Sequence, residues 1–220
     1  MHTVIVVGGG DQGRQVISAL EAGSDAGIVG VLDHSIAHDT LVSGHPVVGT
    51  EDDLASCARR HNANAFVVAV GDNAVRGALF ERLTSACPDL APLTVVHPDA
   101  SIARDAHVGA GSIVLAGVVV SNGCTLGRGV LLGTLSSVDH DCVVDDFASL
   151  APGVHTGGTV RIGSRTALGV GASVVHGVTI GADSVVGAGA LVLADVPDRV
   201  VVFGAPARVA RSREPGEPYL

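Results

Sequence analysis

A histidine flanked by two aspartates is the feature of this sequence that points most directly to chemistry. His140 lies in SSVDHDCVVDD (136–146), a stretch that is otherwise small and apolar. A histidine titrates near pH 6.5, so at neutral pH it can take a proton from an attacking amine or hydroxyl. A carboxylate on its other ring nitrogen fixes the tautomer and stabilises the imidazolium. His140 is therefore a candidate for acid–base chemistry, with Asp141 and Asp139 as the candidate partners of its ring.

His140 belongs to a six-residue repeat that runs from residue 102 to residue 192. Fifteen of the sixteen positions spaced by six from Ile102 are apolar, and Thr156 is the exception. Four residues after each of them only Ala, Ser, Val, Cys or Thr occurs. One bulky and one small inward column indicate a parallel β-helix, in which residues 18 apart stack at about 4.8 Å. The general preference for right-handed crossovers predicts a right-handed coil.

The register of this repeat predicts the neighbours of His140. The histidine is two positions past Val138 and therefore points outward at a turn, and Gly158 stacks one coil away. A glycine leaves its backbone N–H open to a ligand. A neighbouring column of mostly small residues predicts a shallow groove beside His140: Leu115, Gly133, Ala151, Gly169 and Gly187.

A different pattern precedes the repeat. Apolar strand-like segments alternate with helix-like segments, which predicts a small Rossmann-like α/β domain with a parallel sheet over residues 1–97. The β-helix and a C-terminal tail follow over residues 98–220. The strand-like segments are 3–7, 28–33, 65–70 and 93–96, and the helix-like segments are 15–22, 51–61 and 73–86.

The first turn of the α/β domain carries a nucleotide-binding pattern. Gly8, Gly10 and Gly13 form GxGxxG after a strand, and Asp33 ends the second strand. Glycines at these positions let the backbone and the helix N-terminus approach a phosphate. The domain has roughly half the length of a full dinucleotide fold, so a mononucleotide or a nucleotide sugar fits better than NAD.

Composition narrows the choice of partners and compartment. The net charge is −9, with thirteen arginines and no basic run, which argues against nucleic acid as a partner. Residues 106–127 carry no charged side chain, but their glycines and polar residues argue against a membrane span. The four cysteines show no CxxC spacing, which predicts reduced thiols and a cytoplasmic protein. Cys124 and Cys142 are 18 apart and stack either as core thiols or as a disulfide.

Four segments together resemble a known family. They are HDCVVDDFASLAPG, the opening GGG turn, the link HPDA and the terminal FGAPARVAR. The sequence is similar over residues 3–211 to the bacterial nucleotide-sugar acetyltransferases, those that make acetylated bacillosamine, perosamine or sialic acid. The resemblance implies a left-handed β-helix, a homotrimer with active sites between subunits, acetyl-CoA as donor, no metal, and a nucleotide sugar bound by the N-terminal domain.

The resemblance also implies roles for single residues. The base falls on His140, the acidic residue on Asp141, and the backbone N–H near the thioester on Gly158. The residues placed along CoA are Ser149, Gly158, Ala167, Val170 and Ala188. The residues placed around the nucleotide sugar are Gly10, Asp11, Gln12, Asp33, Gly71, Asp72 and Asn73.

The sequence departs from the pattern of the family at three of its positions. Gln12 and Ser149 stand where the family often has histidine, and Gly133 stands where it commonly has asparagine. The identity of the acceptor and the choice between an amino and a hydroxyl group therefore remain open.

Other functions stay open on the residues alone. GxGxxG with Asp33 also fits a nicotinamide-binding oxidoreductase, and the repeat also fits a structural subunit without catalysis. A zinc carbonic anhydrase on the same repeat needs three converging histidines, whereas His140 and His176 are two coils or about 9.6 Å apart. Four arginines of the C-terminal segment either meet the phosphates of CoA or lie in a solvated tail: Arg199, Arg208, Arg211 and Arg213.

Overall fold

The N-terminal part of the chain is a three-helix, six-stranded α/β domain. The computed structural model describes residues 2–23 and 26–219. Five strands of the sheet are parallel, in the order β3-β4-β2-β1-β5-β6, and β3 pairs antiparallel with β4 at the edge. The elements are β1 (His2–Val7), α1 (Asp11–Ala22), β2 (Ala26–Leu32), β3 (Leu41–Val42), β4 (His45–Gly49), a 3₁₀ turn (Glu51–Asp53), α2 (Leu54–His61), β5 (Ala65–Val68), α3 (Asn73–Ala86) and β6 (Ala91–Pro92).

The sequence of the α/β domain explains how its central strand and first helix pack. Val4, Val6 and Val7 in the central strand β1 are fully buried, as expected of a parallel strand covered on both faces. A Cβ atom on Gly13 would lie 2.2 Å from the carbonyl oxygen of Gly8. The last glycine of GxGxxG is therefore required for the close approach of α1 to β1.

The rest of the chain forms three parallel sheets around one core, which we call faces 1, 2 and 3. Face 1 contains β7 (Val95–Val96), β10 (Ile113–Val114), β13 (Leu131–Leu132), β16 (Ser149–Leu150), β19 (Ala167–Leu168), β22 (Val185–Val186), β24 (Val200–Phe203) and the antiparallel β25 (Arg208–Ser212). Face 2 contains β8 (Ser101–Ile102), β11 (Val119–Val120), β14 (Ser137–Val138), β17 (His155–Thr156), β20 (Ser173–Val174) and β23 (Leu191–Val192). Face 3 contains β9 (His107–Val108), β12 (Thr125–Leu126), β15 (Val143–Val144), β18 (Arg161–Ile162) and β21 (Thr179–Ile180).

This arrangement confirms the hexapeptide β-helix and its 18-residue stacking. Ser137 pairs with His155, and Val143 pairs with Arg161. The bulky and the small columns form one buried core. The coils are left-handed, so the general preference for right-handed crossovers gave the wrong hand and the family resemblance gave the right one.

The corners of the β-helix turn through residues in the left-handed backbone region. Every sixth residue from 111 to 189 has a positive φ. Eight of these fourteen are glycine, and the other six carry side chains: Leu135, Asp141, Phe147, Thr159, Arg165 and Asp183. Aspartate is among the residues that tolerate this conformation best. Asp141 therefore occupies a corner position of the repeat, directly after His140.

Arg76 on α3 joins the two parts of the chain. Its guanidinium is 1% exposed and donates hydrogen bonds to five carbonyl groups and to the side chain of Asn73. Burial lowers its pKa to about 10. The carbonyls are those of Val70, Gly71, Gly129, Phe147 and Ala148.

No helix within residues 2–23 and 26–219 is long and apolar enough to cross a membrane.

Candidate active site

His140 lies in the turn between β14 and β15, at the corner where face 2 meets face 3. Its Nδ1 is 2.9 Å from Oδ2 of Asp141. Asp139 instead accepts a hydrogen bond from the backbone N–H of His140, at 2.8 Å. Of the two candidate acids, the ring is thus paired with Asp141. Within the described residues Nε2 of His140 has no hydrogen-bond partner, so this nitrogen is free to accept a proton.

The two carboxylates also change the acidity of the ring. The hydrogen bond that His140 donates to Asp141 raises the pKa of His140 above its ordinary value near 6.5, and the charges of Asp139 and Asp141 act in the same direction. The ring is 43% exposed, so solvent can also reach it. A base with a raised pKa is neutral, and therefore active, only above that pKa.

Gly158 lies directly beneath the ring of His140. An ideal Cβ on Gly158 would be 2.3 Å from Nε2 and 2.4 Å from Cε1 of the imidazole. Only a glycine lets the ring rest in this position. The backbone N–H of Gly158 has no acceptor in the part of the chain that the structure describes. The predicted stacking of these two residues is therefore present.

His176 stacks on the same corner, one coil beyond Gly158. Its ring centroid is 6.0 Å from that of His140, closer than the backbone spacing of two coils suggests, because a glycine separates the two rings. Nε2 of His176 is 3.2 Å from Oγ1 of Thr159. Among residues 2–23 and 26–219, no three His, Cys, Asp or Glu side chains are grouped so that they could hold a metal ion.

A groove of about 380 Å³ runs along face 1, beneath the N-terminal domain. Its walls are mainly apolar or small, as in typical ligand sites. Five of the residues assigned by resemblance line it, from both the CoA set and the nucleotide-sugar set: Gln12, Gly71, Ser149, Ala167 and Ala188. Val170 is exposed and does not line it. We call this cavity the face 1 groove.

The groove is not beside His140, which corrects the sequence prediction. Gly133 and Gly169 follow face 1 strands, whereas His140 follows a face 2 strand. A Cβ on Gly133 would lie 2.7 Å from the nitrogen of Pro152, and one on Gly169 would lie 2.7 Å from the nitrogen of Ala188. These glycines therefore allow close stacking of successive coils. All five residues of the predicted column line the face 1 groove, so the groove is present and only its predicted position beside His140 is wrong.

The carboxylates predicted for the nucleotide pocket already have protein partners. Asp33 accepts from Gly9 N at 2.7 Å and from Ser35 N and Oγ at 2.8 and 2.6 Å. Burial acts to raise the pKa of Asp33, but these hydrogen bonds hold it below its ordinary value. Asp72 caps α3 by accepting from Ala74 N and Val75 N. Both residues shape the loops at this edge of the sheet.

Asn73 does not line a ligand pocket, which corrects its assignment. Its side chain is 1% exposed and donates to the carbonyls of Arg165 and Thr166 on the β-helix. Its oxygen accepts from Arg76. The side chain of Asn73 is therefore part of the contact between the two domains.

The residues at the start of α1 lie beside open space. Gly10 is the N-cap of α1, and Asp11 forms an exposed ion pair with Arg14. Both members of this pair line a second hollow of about 560 Å³. Gln12 lines the face 1 groove, and its buried Nε2 has no hydrogen-bond partner among the described residues. A buried donor without an acceptor beside a cavity is a candidate ligand contact.

Tyr219 is a groove residue that sequence reasoning missed. Its hydroxyl accepts from Asn73 N at 3.2 Å and donates to the carbonyl of Gly71 at 3.3 Å. The guanidinium carbon of the buried Arg213 lies 5.7 Å from the centroid of the Tyr219 ring. Arg211 forms an ion pair with Glu217, with 2.7 Å between nitrogen and oxygen. The C-terminal segment is thus held against the protein by Arg213 and Tyr219, whereas Arg199, Arg208 and Arg211 are exposed. The available signal was that the chain contains a single tyrosine.

The sequence was compared with known proteins. Residues 3–83 match the family model described as the PglD N-terminal domain. The chain is 30% identical, over an alignment of 221 positions, to GDP-perosamine N-acetyltransferase of Escherichia coli O157:H7, and the match covers 94% of this chain and 96% of that protein. The chain belongs to the bacterial nucleotide-sugar N-acetyltransferase family.

Two further relatives of this acetyltransferase family support the assignment. UDP-N-acetylbacillosamine N-acetyltransferase of Bacillus subtilis is 33% identical over 115 residues, covering 52% of this chain and 51% of that protein. A histidine-to-alanine variant of GDP-perosamine N-acetyl transferase from Caulobacter crescentus was solved in complex with CoA and GDP-perosamine. It superposes with a TM-score of 0.91 at 33% identity, covering 96% of this chain and 98% of that chain.

Membership in the acetyltransferase family settles the class of the protein. The chain is an acyltransferase, so the expected enzyme class is confirmed. The oxidoreductase, carbonic anhydrase and non-catalytic alternatives are thereby set aside.

Proposed function

We propose that this protein transfers the acetyl group of acetyl-CoA to the amino group of a nucleotide-linked sugar, with His140 as the general base. The observation that carries the proposal is the pairing of His140 with Asp141 above Gly158. A neutral imidazole with one nitrogen anchored and the other free is suited to remove a proton. The names of the relatives support the donor and the class of acceptor.

Each of the three residues has a separate part in the proposed reaction. Nε2 of His140 takes the proton of the acceptor amine as the nitrogen attacks the thioester carbonyl. Asp141 stabilises the imidazolium that forms. The unpartnered N–H of Gly158 donates to the oxygen of that carbonyl as negative charge develops on it. The C–S bond then breaks, and CoA leaves as a thiolate that takes the proton from the imidazolium of His140, with no covalent enzyme intermediate.

We propose that the face 1 groove holds acetyl-CoA and part of the acceptor, and that a homotrimer completes the site. Ser149, Ala167 and Ala188 supply a smooth wall for the donor, and Gln12 and Gly71 lie at the end near the nucleotide-binding loops. Within one chain His140 lies at the corner between faces 2 and 3, whereas the groove runs along face 1. A neighbouring copy that brings its His140 to this groove would join them.

The same proposal extends to neighbouring residues and to the compartment. Gly10, Asp11, Asp33 and Asp72 shape the loops that face the nucleotide, and Val170 contacts the donor at the subunit boundary. The four buried, free cysteines fit a reducing cytoplasm. The boundary near residue 97 separates nucleotide binding from acetyl transfer.

Turnover of the His140→Ala variant tests the base. Purified protein is given acetyl-CoA with GDP-perosamine or with UDP-N-acetylbacillosamine, and release of CoA is followed as free thiol. We expect a loss in kcat of about 10² to 10⁴, the usual contribution of a positioned base, at an unchanged melting temperature. His61→Ala, at the exposed end of α2, is the control. Turnover of His140→Ala equal to that of the wild type would overturn the proposal.

Co-expression of two inactive variants tests the shared site. His140→Ala lacks the base, and Ala188→Trp fills the groove with an indole. If the groove of one subunit uses the histidine of another, mixed oligomers contain some intact sites and activity returns. Mixed oligomers without activity would show that each chain uses its own histidine.

A further inference from the structure

The hydrogen bonds between successive coils follow one rule along the β-helix. The residue after each position of the bulky column donates its N–H to the carbonyl of the column residue one coil later. Ser121 donates to Val138 at 2.9 Å, and Gly157 donates to Val174 at 2.8 Å. The same pattern holds from residue 103 to residue 175, with one exception.

The exception is Asp139, which immediately precedes His140. Its N–H donates to the side-chain oxygen Oγ1 of Thr156, at 3.1 Å, in place of the backbone carbonyl. Correspondingly, β14 and β17 pair only at Ser137 and His155. Thr156 is the one polar residue among the sixteen of the bulky column. The irregularity of the sequence and that of the hydrogen-bond ladder therefore coincide, and both lie next to the base.

The hydroxyl of Thr156 is held inside the protein. The residue is 6% exposed, and Oγ1 lies 3.6 Å from Sγ of Cys142. Cys142 donates in turn to the carbonyl of Gly157 at 3.2 Å and accepts from Val160 N at 3.3 Å. These contacts fix where the hydroxyl lies and hence where the N–H of Asp139 is held.

A second buried side chain holds the other end of the same residue. Sγ of Cys124 donates to the carbonyl of Asp139 at 2.9 Å. Burial raises the pKa of the Cys124 thiol, which keeps the thiol protonated and able to donate. Another side chain of the small column donates in the same way, since the hydroxyl of Ser112 donates to the carbonyl of Gly127. Among the sixteen residues of the bulky column, Thr156 alone carries a hydroxyl that can accept in this way.

We propose that Thr156 is a positioning residue for His140, acting through the backbone of Asp139. Its hydroxyl replaces a carbonyl acceptor and so places the peptide that carries the imidazole at the height needed above Gly158. Thr156 does not contact the reacting atoms. The inference rests on the proposed function of His140 and adds the residue that sets its position.

The pair Thr156→Val and Thr156→Ser tests this inference. Valine has the shape of threonine without the hydroxyl and is the type of residue found at the other column positions, so the fold is retained. A base displaced by an ångström can lose about 10²-fold in rate. We expect Thr156→Val to lower kcat at least tenfold with KM for acetyl-CoA unchanged and the melting temperature equal or higher. Thr156→Ser keeps the hydroxyl and is expected to retain most of the turnover.

Thr166→Val is the matched control, because it makes the same chemical change at another buried threonine. The hydroxyl of Thr166 donates to the carbonyl of Gly181 and accepts from Ser184 N. This variant is expected to lower the melting temperature while kcat stays unchanged.

Two results would overturn the inference. One is Thr156→Val with the kcat of the wild type, and the other is Thr156→Ser as slow as Thr156→Val. Full activity of His140→Ala would instead overturn the proposed function, so the two failures are distinguishable.

Discussion

Replacing Gly158 with alanine separates the position of the base from every other property of the site. The φ of Gly158 lies outside the left-handed region, so alanine causes no backbone strain there. The new methyl would lie 2.3 Å from Nε2, 2.4 Å from Cε1 and 2.8 Å from Cδ2 of His140. Non-bonded carbon atoms pack at about 3.5 to 4.0 Å. The ring must therefore move by roughly 1 Å or more, or rotate away from Asp141.

We expect this displacement to slow the reaction without lowering the stability of the fold. A misplacement of about 1 Å can reduce a rate by about 10²-fold. A glycine-to-alanine change at a compatible φ stabilises a protein by about 0.4 to 1 kcal/mol. We therefore expect kcat to fall about 10²-fold, while the melting temperature stays equal or rises. The N–H of Gly158 is retained, so the variant reports on the ring alone.

Stopped-flow measurement of CoA release and a thermal melt provide the two readouts. Gly23→Ala is the control, because a Cβ there has its nearest neighbour at 3.7 Å. A crystal structure of Gly158→Ala with the ring unmoved, or turnover within twofold of the wild type, would show that the stacking of His140 on Gly158 does not position the base.

Two further substitutions follow from the same structure. Asp141→Asn removes the main cause of the raised pKa of His140, so we expect the acidic limb of the kcat/KM profile to move to lower pH. We also expect kcat to fall at least about tenfold, because the imidazolium loses its negatively charged partner. A limb that stays in place would contradict the pairing. Arg76→Met leaves buried carbonyls without donors and is expected to lower the free energy of unfolding by about 3 to 5 kcal/mol in urea titrations. Arg82→Met is the control, because it removes only an exposed ion pair and should lower this free energy by under about 1 kcal/mol. Equal effects of the two substitutions would show that the interdomain hydrogen bonds of Arg76 contribute little.

The repeat could be read from the sequence because its physical cause is local. Each inward position is filled by one side chain per six residues, so a period and two columns are enough to assign the core and to stack His140 on Gly158. The helices and the central strands of the first domain were predicted for the same reason. The 41–49 hairpin was not predicted, because its strands are short and lie at the sheet edge.

Features that depend on contacts between distant segments could not be read in this way. The burial of Asn73 depends on carbonyls more than ninety positions away, and the position of Tyr219 depends on the whole tail folding back. The groove itself was read correctly from its column of small residues, which line it. It was assigned to the wrong corner because Gly133 follows β13 and His140 follows β14, one hexapeptide and hence one corner later.

The 18-residue stacking also limits how the length of this chain can vary. A deletion of six residues would carry every later residue to the next face, so that Gly158 would no longer lie beneath His140 if the deletion fell between them. A deletion of eighteen keeps each residue on its face but removes a coil. Arg76 and Asn73 bind the carbonyls of Gly129, Phe147 and Thr166, which anchors the first domain to three successive coils. Insertions and deletions are therefore tolerated only as whole coils at the ends of the β-helix, outside the segment that the first domain spans.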